Sequence, residues 1–376
     1  RAHRPVSGNS MEEVDLVIVG GGIIGLACAG ATARPGRTVC LLERHPRPGT
    51  EASTHNSGVI HAGIYYPTES LKAQLCVEGR ETLYQFCQTY EVPHLRCGKL
   101  ILADVDGDET RLERLLMQGQ SNGVDDLEIV DADRVRHLEP HVTPRTALWS
   151  PSTGIVEAEA LVRALHREAA ARETLVLPAM PLVSADPSTR GVEIRTPAET
   201  IHTQAVVNAA GLYADEVSAA IGGRRFTIYP CRGEYAELVG RSRGLVGRPV
   251  YPLPARAGEH LGIHVTPTTW GSVSAGPTVH YQNDKRDHER DRLPVEAFID
   301  PTRALLPTVR PEDLRLGGTG IRAKLSPNEA TFSDFLIEQD PVQPRLIQAA
   351  GIDSPGLTAC LSIARRVSVL VDEILD

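Results

Sequence analysis

The stretch from Val14 to Glu43 limits the possible folds of this chain more than any other part of it. An apolar run from Leu16 to Val19 leads into three consecutive glycines, and small residues follow as far as a Pro35-Gly36 pair. A second apolar run from Thr38 to Leu42 then ends at an acidic residue. This order predicts a strand, a tight turn, a helix and a parallel strand, which together form a dinucleotide-binding unit.

Each glycine of the G-x-G-x-x-G turn has its own physical role. Gly20 permits the tight turn, Gly22 lets the backbone approach a pyrophosphate, and Gly25 lets the helix pack closely on the strand. The phosphates then meet the positive end of the helix dipole. Glu43 stands 23 residues after Gly20, where a carboxylate can accept hydrogen bonds from ribose hydroxyl groups. The whole unit therefore predicts a bound dinucleotide.

The composition argues against several other classes of protein. With 376 residues, the chain is long enough for two domains, or for one large domain with an insertion. Its net charge of -9 argues against nucleic acid as the main partner, because phosphate binding requires clustered cations. Its 7 cysteines include no C-x-x-C pair, so we expect no metal site and no disulfide framework. The uncharged residues 16–33 contain five glycines, which favours strand, turn and helix over a membrane span.

Two further junctions repeat the pattern of strand, glycine and helix. A run from Ala205 to Asn208 leads to Ala210 and Gly211, and a run from Leu346 to Ala350 leads to Gly351. Strands of one parallel sheet end at the same edge, so these junctions are predicted to lie beside the first glycine turn. For the junction at Gly211, a plain strand-to-helix turn explains the residues equally well.

The polar stretch 44–67 is predicted to be a loop. It contains His55, Asn56, Ser57 and His61, whose side chains can form hydrogen bonds to a cofactor. A loop of this length without periodicity is more often functional than idle. The alternative is that its Ser, Thr and Asn side chains satisfy the loop's own backbone groups.

Five sequence motifs together resemble one enzyme family. They are V-I-V-G-G-G-I-I-G, H-N-S-G-V-I-H-A-G-I-Y-Y, N-A-A-G-L-Y-A-D, C-R-G-E-Y and G-I-R-A-K-L. With them, residues 14–376 resemble the FAD-dependent D-amino-acid-oxidase-like superfamily, and within it the branch of L-2-hydroxyglutarate dehydrogenases and oxidases. The resemblance implies an α/β fold, with a Rossmann-like FAD-binding domain and a mixed α+β substrate domain that carries a largely antiparallel sheet.

The predicted domains are discontinuous. Short β-rich runs separated by Pro and Gly fill residues 224–316, and they fit the antiparallel sheet of the second domain. We assign the FAD-binding domain to residues 14–75, 150–220 and 317–376, the substrate domain to residues 76–149 and 221–316, and a flexible N-terminal extension to residues 1–13.

The resemblance also implies which residues hold the FAD. The first glycine turn would bind the pyrophosphate, and the acid after the second strand would bind the ribose. The loop that follows would lie along the flavin, and the start of the last helix would bind a flavin carbonyl. The predicted cofactor-binding residues are Gly20, Gly22, Ile23, Ile24, Gly25, Glu43, Arg44, Thr54, His55, Asn56, Ser57, Gly58, Ala210, Gly211, Gly351, Ser354, Pro355, Gly356, Leu357 and Thr358.

A 2-hydroxy acid is oxidised when its Cα hydrogen moves to flavin N5 and a base takes its hydroxyl proton. Relatives often bind the substrate carboxylate with an arginine in a segment like that of Arg322, and a guanidinium suits a planar carboxylate. Lys324 or Arg232 is predicted to bind a second carboxylate. His61 and His264 are the candidate bases, because a neutral imidazole accepts protons near pH 7.

Two tyrosines, Tyr235 and Tyr251, are predicted to orient the substrate. Each assignment has a structural alternative. The alternative for His61 is a hydrogen bond to the loop backbone or the flavin instead of catalysis. The side chain of His264 lies on a strand face that is exposed either to solvent or to the active site. The alternative for Arg232 is an ion pair with Glu234 alone, and a packed tyrosine is more common than one that orients a substrate.

The resemblance implies FAD-dependent oxidation of L-2-hydroxyglutarate, or of a close and equally anionic 2-hydroxy acid, to the 2-oxo acid. Three alternatives remain: a flavin amino-acid or amine oxidase, a glycerol-3-phosphate dehydrogenase, and a non-catalytic FAD-binding sensor. The electron acceptor is expected to be oxygen or a quinone. The expected location is the cytoplasm, either free or peripheral on the inner face of a membrane.

Overall fold

A computed structural model describes residues 12–103, 109–254 and 262–376. Eight α-helices lie within these ranges. They are α1 (Ile23–Thr32), α2 (Leu71–Thr89), α3 (Glu109–Ser121), α4 (Ala132–Leu138), α5 (Ala158–Ala171), α6 (Ala214–Ala220), α7 (Ile299–Leu305) and α8 (Gly356–Leu375). Within the same ranges, no helix is both long enough and apolar enough to cross a membrane.

The strands of the described residues form three sheets. In chain order they are β1 (Glu12–Val19), β2 (Val39–Leu42), β3 (Val59–Ile60), β4 (His94–Leu95), β5 (Lys99–Leu102), β6 (Glu128–Val130), β7 (Ala147–Ser150), β8 (Gly154–Val156), β9 (Leu175–Leu177), β10 (Ser184–Ser188), β11 (Gly191–Arg195), β12 (Thr200–Asn208), β13 (Tyr229–Leu238), β14 (Val250–Pro252), β15 (His264–Pro267), β16 (Val273–Gly276), β17 (His280–Tyr281), β18 (Leu314–Lys324), β19 (Leu336–Gln339) and β20 (Leu346–Ala350). Strands β3, β8 and β4 form the smallest sheet.

The first sheet has a parallel centre in the order β9-β2-β1-β12-β20. Antiparallel strands β19 and β11-β10 extend it on the β20 and β12 side. Its central strands are buried on both faces, which explains their continuous apolar runs. Leu16 and Ile18 face the helices α1, α5 and α8, while Val17 and Val19 pack into a cluster on the other face. The predicted Rossmann-like α/β fold is confirmed.

The second sheet is largely antiparallel, as predicted. Its strand order is β17-β13-β16-β15-β14-β5-β7-β6, and β18 pairs with β13 along nearly its whole length. Only the β14–β5 pair is parallel among the described strands of this sheet. Leu100, Leu102 and Val250 belong to a hydrophobic cluster on one face of the sheet. The other face carries Tyr251 and the adjoining Lys99.

The predicted domain boundaries cut through elements that pack as units. Helix α2 packs on α8, and its Leu75, Leu83 and Cys87 belong to the core of the first sheet, although residue 76 was the predicted start of the substrate domain. Strand β18 continues its ladder with β13 to Lys324, although residue 317 was the predicted return to the FAD-binding domain. Burial and hydrogen bonding, rather than chain order, decide where these elements belong. The division into two domains itself stays a prediction.

The predicted flexible extension of residues 1–13 is too long by two residues. Glu12 and Glu13 are part of β1, where they pair in register with Ile201 and His202 of β12. This ladder supplies backbone partners that the polar sequence before Val14 did not indicate. Residues 1–11 lie outside the described ranges.

The close contact inside the glycine turn gives a stability prediction. A methyl group built on Gly25 would overlap the carbonyl oxygen of Gly20, so α1 would have to move away from β1. We expect Gly25→Ala to lower the free energy of unfolding by about 2 kcal/mol or more, as overpacked core sites do. Thermal or urea unfolding measures it. Gly318→Ala is the matched control, because a methyl group there meets no atom within 4 Å. Equal stability of the two variants would contradict this account of the turn.

Candidate active site

A cavity of about 650 Å³ is lined by residues from both large sheets. On one side lie the start of α1, the segment after β2 and the start of α8. On the other side lie residues of β13, β14, β15 and β18. A volume of this size is typical of small-molecule and cofactor sites. The three junctions predicted to meet at one sheet edge therefore open into a single cavity.

The glycine turn has the geometry of an anion site. Gly20 has a φ of 111°, which favours glycine, and a methyl group on it would overlap the Ala209 carbonyl. Gly22 is the N-cap of α1 and forms no side-chain cap, so the helix start lacks a partner from its own cap residue. Gly22, Ile23 and Ile24 line the cavity, and the Ile23 amide donates to Ser53 Oγ at 2.9 Å. This arrangement fits a pyrophosphate at the end of the helix dipole.

Glu43 holds the turn itself. Its carboxylate is buried and accepts hydrogen bonds from the Gly21 amide at 2.8 Å and the His45 amide at 2.6 Å. Each oxygen keeps a further lone pair, so these bonds are compatible with a ribose hydroxyl. The neighbouring Arg44 lies over the Tyr213 ring, 3.9 Å from its centre, and is not a cavity residue in the described structure.

The segment after β2 satisfies part of its own backbone, as the alternative interpretation stated. Asn56 donates to the carbonyls of Ala52 and Ser53 and accepts from the Gly58 amide. Thr54 donates to the Gly49 carbonyl and does not line the cavity. Several predicted residues of this segment do line the cavity, and they are His55, Asn56, Ser57 and Gly58. The self-bonded loop thereby presents a fixed surface to a ligand.

The start of α8 lines the same cavity as the start of α1 and the segment after β2. Ser354, Pro355, Gly356 and Leu357 line the cavity, and the N-cap Pro355 offers no side-chain hydrogen bond to the 20-residue helix. Unpaired amides at this helix start can donate to a carbonyl oxygen of a cofactor. Two uncapped helix starts in one cavity fit a long cofactor with a pyrophosphate and a polar ring.

Four predicted cofactor residues have a supporting position instead. Thr358 is fully buried, accepts from the His61 amide at 2.9 Å and donates to the Val59 carbonyl at 3.3 Å. Gly25 packs on Gly20, as the spacing predicted. Gly351, like Ala210, is not a lining residue, whereas Gly211 is. These residues shape the backbone, and contact with the cofactor stays a prediction for them.

His61 also lines the cavity. Its Nε2 is 3.2 Å from Ser354 Oγ, and its Nδ1 is buried without a hydrogen-bond partner among the described residues. Burial, followed by the charge of Lys99, lowers the pKa of His61 to about 3. The imidazole is therefore neutral at pH 7, and it is anchored to the start of α8.

His264 faces the cavity and not solvent, which settles the alternative for this strand. Its ring stacks on Tyr251 with a centre-to-centre distance of 3.8 Å and an interplanar angle of 7°. Its Nδ1 is 3.2 Å from Thr266 Oγ1. Burial raises the pKa of Tyr251, so its hydroxyl stays protonated and can donate a hydrogen bond. The stack fixes the plane in which His264 meets a ligand.

Arg322 reaches the same cavity from β18. Its guanidinium donates to the Thr278 carbonyl at 2.6 Å and to the Cys231 carbonyl at 3.4 Å. No carboxylate of the described residues lies within ion-pairing distance of it. Tyr235, on the adjacent strand, also lines the cavity, and its hydroxyl is 3.2 Å from Ser57 Oγ. A cation held by neutral carbonyls is suited to an anionic ligand.

Arg232 and Lys324 do not fit the predicted role of binding a second carboxylate. Arg232 is 1% exposed, does not line the cavity, and pairs with Glu234 at 3.0 Å, as the structural alternative proposed. Lys324 lines the cavity but pairs with Asp353 at 3.3 Å, and Lys72 pairs with the same carboxylate at 2.6 Å. Burial opposes the ionisation of Asp353, but these two lysines bring its pKa below the ordinary value.

Sequence reasoning missed several cavity residues. Tyr65 and Tyr66 belong to a quoted motif but had no assigned role, and Lys72 had none either. Arg111 and Arg114, which also had no assigned role, reach the cavity from α3. A single sequence does not show which cations of a charged helix face a cavity and which face solvent.

Nearly the whole chain matches a known enzyme family. The model of the family "FAD dependent oxidoreductase" matches residues 15–370. The chain is 33% identical to an Arabidopsis thaliana protein named L-2-hydroxyglutarate dehydrogenase, mitochondrial, over 95% of this chain and 83% of that one. It is 29% identical to the Escherichia coli K12 L-2-hydroxyglutarate dehydrogenase, over 96% and 94% of the two chains.

Solved structures share this fold. A dithionite-reduced, FAD-bound L-alpha-glycerophosphate oxidase from Mycoplasma pneumoniae superimposes with a TM-score of 0.86 at 24% identity, covering 96% of this chain and 95% of that one. A glycine oxidase from Geobacillus kaustophilus gives 0.83 at 21% identity, with the same coverage. These two structures show the shared fold. The family model that matches residues 15–370 shows that the chain belongs to the FAD-dependent oxidoreductase family and uses FAD as its cofactor.

Proposed function

We propose that this enzyme oxidises L-2-hydroxyglutarate, or a close 2-hydroxy acid, to the 2-oxo acid. One observation carries the proposal: the cavity brings Arg322, His61 and His264 together beside the start of α8. A carboxylate-binding cation and a neutral imidazole are the protein groups that oxidation of a 2-hydroxy acid requires. The curated relatives that cover nearly the whole chain are named for this substrate.

The cavity residues at the start of α1, in the segment after β2 and at the start of α8 fit the cofactor. The start of α1 at Gly22 and Ile24 would hold the pyrophosphate, the segment from His55 to Gly58 would lie along the ring system, and the start of α8 would meet a ring carbonyl. When bound, FAD supplies the acceptor for the hydride of the substrate's Cα–H bond.

Arg322 would bind and orient the substrate carboxylate. Its Nη2 and Nε are already held by two backbone carbonyls, so little side-chain entropy remains to be lost on binding. The half-buried position strengthens the charge interaction relative to bulk water. Tyr235, tied to Ser57, borders the same space and limits the orientations of the bound acid.

We propose His264 as the base that takes the hydroxyl proton. The low pKa of His61 makes it a weak proton acceptor near neutrality, whereas its anchor to Ser354 suits a neutral hydrogen-bonding group. The stack of His264 on Tyr251 holds its ring in one plane, which a directed proton transfer requires. The cytoplasmic or peripheral location and the acceptor, oxygen or a quinone, belong to the same proposal.

The substrate assignment is tested by flavin bleaching without oxygen. We expect the purified, yellow protein to lose its flavin absorbance with L-2-hydroxyglutarate and to keep it with amino acids and with glycerol-3-phosphate. Bleaching by an amino acid or by glycerol-3-phosphate alone would replace the proposed substrate class. No bleaching by any compound would indicate a sensor. Addition of oxygen or of a quinone to the reduced protein then identifies the acceptor by the return of absorbance.

Arg322→Ala should weaken substrate use far more than flavin content. Loss of a charge-assisted contact of about 3 kcal/mol predicts a roughly 100-fold lower kcat/KM for L-2-hydroxyglutarate. Steady-state kinetics and the flavin absorbance per protein measure the two effects. Arg315→Ala is the matched control, because Arg315 lies on the same strand but pairs with Glu237 outside the cavity. A parallel loss of flavin and activity would make Arg322 a structural residue.

The two histidines should differ in their effect on the chemical step. We expect His264→Asn to slow flavin reduction about 10²- to 10⁴-fold at saturating substrate, the range for a lost general base. His61→Asn should slow it less, because a neutral hydrogen-bonding group is replaced by another. Anaerobic single-turnover reduction at pH 7 measures both variants. A larger effect of His61→Asn would reverse the assignment.

A further inference from the structure

Lys99 is a buried lysine without an assigned role, and it does not line the cavity of the described structure. It begins β5, whose Leu100 and Leu102 pack into the hydrophobic cluster on one face of the second sheet. The alternation of a strand sends Lys99 to the opposite face, where Tyr251 also lies. The lysine is 1% exposed. A long cationic side chain at this depth requires a specific partner.

The partners of its ammonium group are two aromatic rings. Nζ of Lys99 is 4.5 Å from the centre of the Tyr65 ring and 4.7 Å from that of Tyr251. Among the residues that the structure describes, no carboxylate pairs with this ammonium group and no hydrogen bond reaches it. Both tyrosines line the cavity, so Lys99 lies directly behind two side chains that border it. A contact between Lys99 and the reacting groups therefore passes through these rings.

Tyr251 is shared between Lys99 and His264. The imidazole of His264 stacks on the phenol ring, with 3.8 Å between the centres and 7° between the planes. A parallel ring this close covers one face of the phenol, which leaves the other face for the ammonium group. The three side chains form a stack across the neighbouring strands β5, β14 and β15, next to the paired residues Val250 and Val265.

Each contact in this stack restricts the next side chain. The cation favours one orientation of the Tyr251 ring, and the face of that ring holds the plane of the His264 imidazole. A positive charge on Lys99 also disfavours a second positive charge on His264, which keeps the imidazole in its proton-accepting form. Both effects exist only while Lys99 carries its charge.

We propose that Lys99 is a positioning residue for the proton transfer, acting on His264 through the ring of Tyr251. The inference rests on the proposed function, in which His264 accepts the hydroxyl proton of the 2-hydroxy acid. Lys99 itself neither accepts this proton nor contacts the substrate. It adds a third member to the pair of Tyr251 and His264 and gives the buried charge a role.

The titratable groups around Lys99 predict how this role depends on pH. They are His61 and Tyr65 from the segment after β3, Cys76 from α2 and Tyr251 from β14. Burial lowers the pKa of His61 to about 3, raises that of Cys76 to about 12 and raises those of both tyrosines above their ordinary value. These four groups therefore stay neutral near pH 7.

Lys99 is the group of this set that changes charge near neutrality. Burial lowers its pKa to about 7, against an opposing effect of Cys76. Arg80, one turn after Cys76 on α2, keeps its charge throughout this range. The ammonium ion, and with it the stack, is present on the acidic side of neutrality and is lost as the pH rises through about 7.

Anaerobic single-turnover reduction of the flavin tests this role, measured at saturating L-2-hydroxyglutarate between pH 6 and 9. Lys99→Met removes the charge and keeps the length of the side chain. We expect it to be about ten-fold slower than the wild type at pH 6 and equal to it at pH 9, because a small misplacement of a reacting group slows a reaction by up to about 10²-fold. The ratio of the two rates removes the ionisations that both proteins share. The substrate concentration at half-saturation should change by less than about three-fold, since Lys99 does not contact the substrate.

Lys99→Arg and Lys285→Met are the matched comparisons. An arginine stays charged at every pH, so Lys99→Arg should exceed Lys99→Met by the same factor from pH 6 to 9. Lys285 also lies over a tyrosine ring, 5.3 Å from the centre of Tyr213, but outside the cavity, so Lys285→Met should leave the rate unchanged. The unfolding temperature and the flavin content show whether each variant folds. Lys99→Met is expected to fold, because an apolar group replaces an uncompensated buried charge.

A double-mutant cycle shows whether the effect passes through Tyr251. Tyr251→Leu removes the ring, and Tyr251→Phe keeps the ring without the hydroxyl. At pH 6, adding Lys99→Met should slow Tyr251→Phe about as much as it slows the wild type, and should change Tyr251→Leu by less than about two-fold. The unfolding free energies of the same ligand-free proteins should show the same coupling, which gives a readout independent of turnover.

A ratio of wild-type to Lys99→Met rates that is one at pH 6, or that is the same at pH 6 and 9, would overturn the inference. Full additivity of Lys99→Met and Tyr251→Leu would also overturn it and would make Lys99 a residue of stability alone. Failure of the proposed function looks different, because the wild type itself would then not bleach with L-2-hydroxyglutarate. A wild type that bleaches and shows a pH-independent ratio rejects the role of Lys99 alone.

Discussion

The close approach of backbone at the glycine turn is the constraint on which the rest of the site depends. Gly25 packs directly on Gly20, and Gly20 in turn packs on the Ala209 carbonyl at the end of the neighbouring strand. The two contacts bring the start of α1 to the edge of β1 and β12. Because Glu43 then holds the Gly21 amide, the turn is fixed from a third strand as well. The position of the glycine turn thus depends mainly on close backbone contacts, and the hydrogen bond from Gly21 to Glu43 adds to them.

The substrate wall depends on a different kind of interaction. The long ladder between β13 and β18 places Tyr235 and Arg322 on adjacent strands, and the buried pair of Arg232 with Glu234 lies within the same ladder. Breaking such a buried pair would leave an uncompensated charge. Arg232 therefore supports a strand of the site through its pair with Glu234, which is the alternative that the sequence left open beside substrate binding.

The sequence was sufficient for those parts that depend on local pattern. The apolar runs before Gly20 and after Pro35 predicted β1, α1 and β2, and the motif from His55 to Tyr66 predicted a loop that lines the cavity. Strand β18 was not foreseen, because its glycine-rich sequence has low β-propensity and its pairing with the distant β13 decides the structure.

The ion pairs of the site could not be predicted from a single sequence either. The partner of Lys324 is Asp353, which lies in a different segment, and nothing in either stretch indicates the other. Lys99 precedes an apolar run, and the sequence did not indicate that its ammonium group lies over the rings of Tyr65 and Tyr251. Such contacts depend on long-range packing, which spacing along the chain does not encode.

Asp353 has a mechanical consequence for the cavity. It precedes α8 and pairs both with Lys72 on a helix of the first core and with Lys324 on a strand of the second sheet. A single carboxylate therefore ties together three parts of the chain that border the same space. Protonation of Asp353 would therefore loosen both ion pairs at once, so the border of the cavity depends on one charged group as well as on packed side chains.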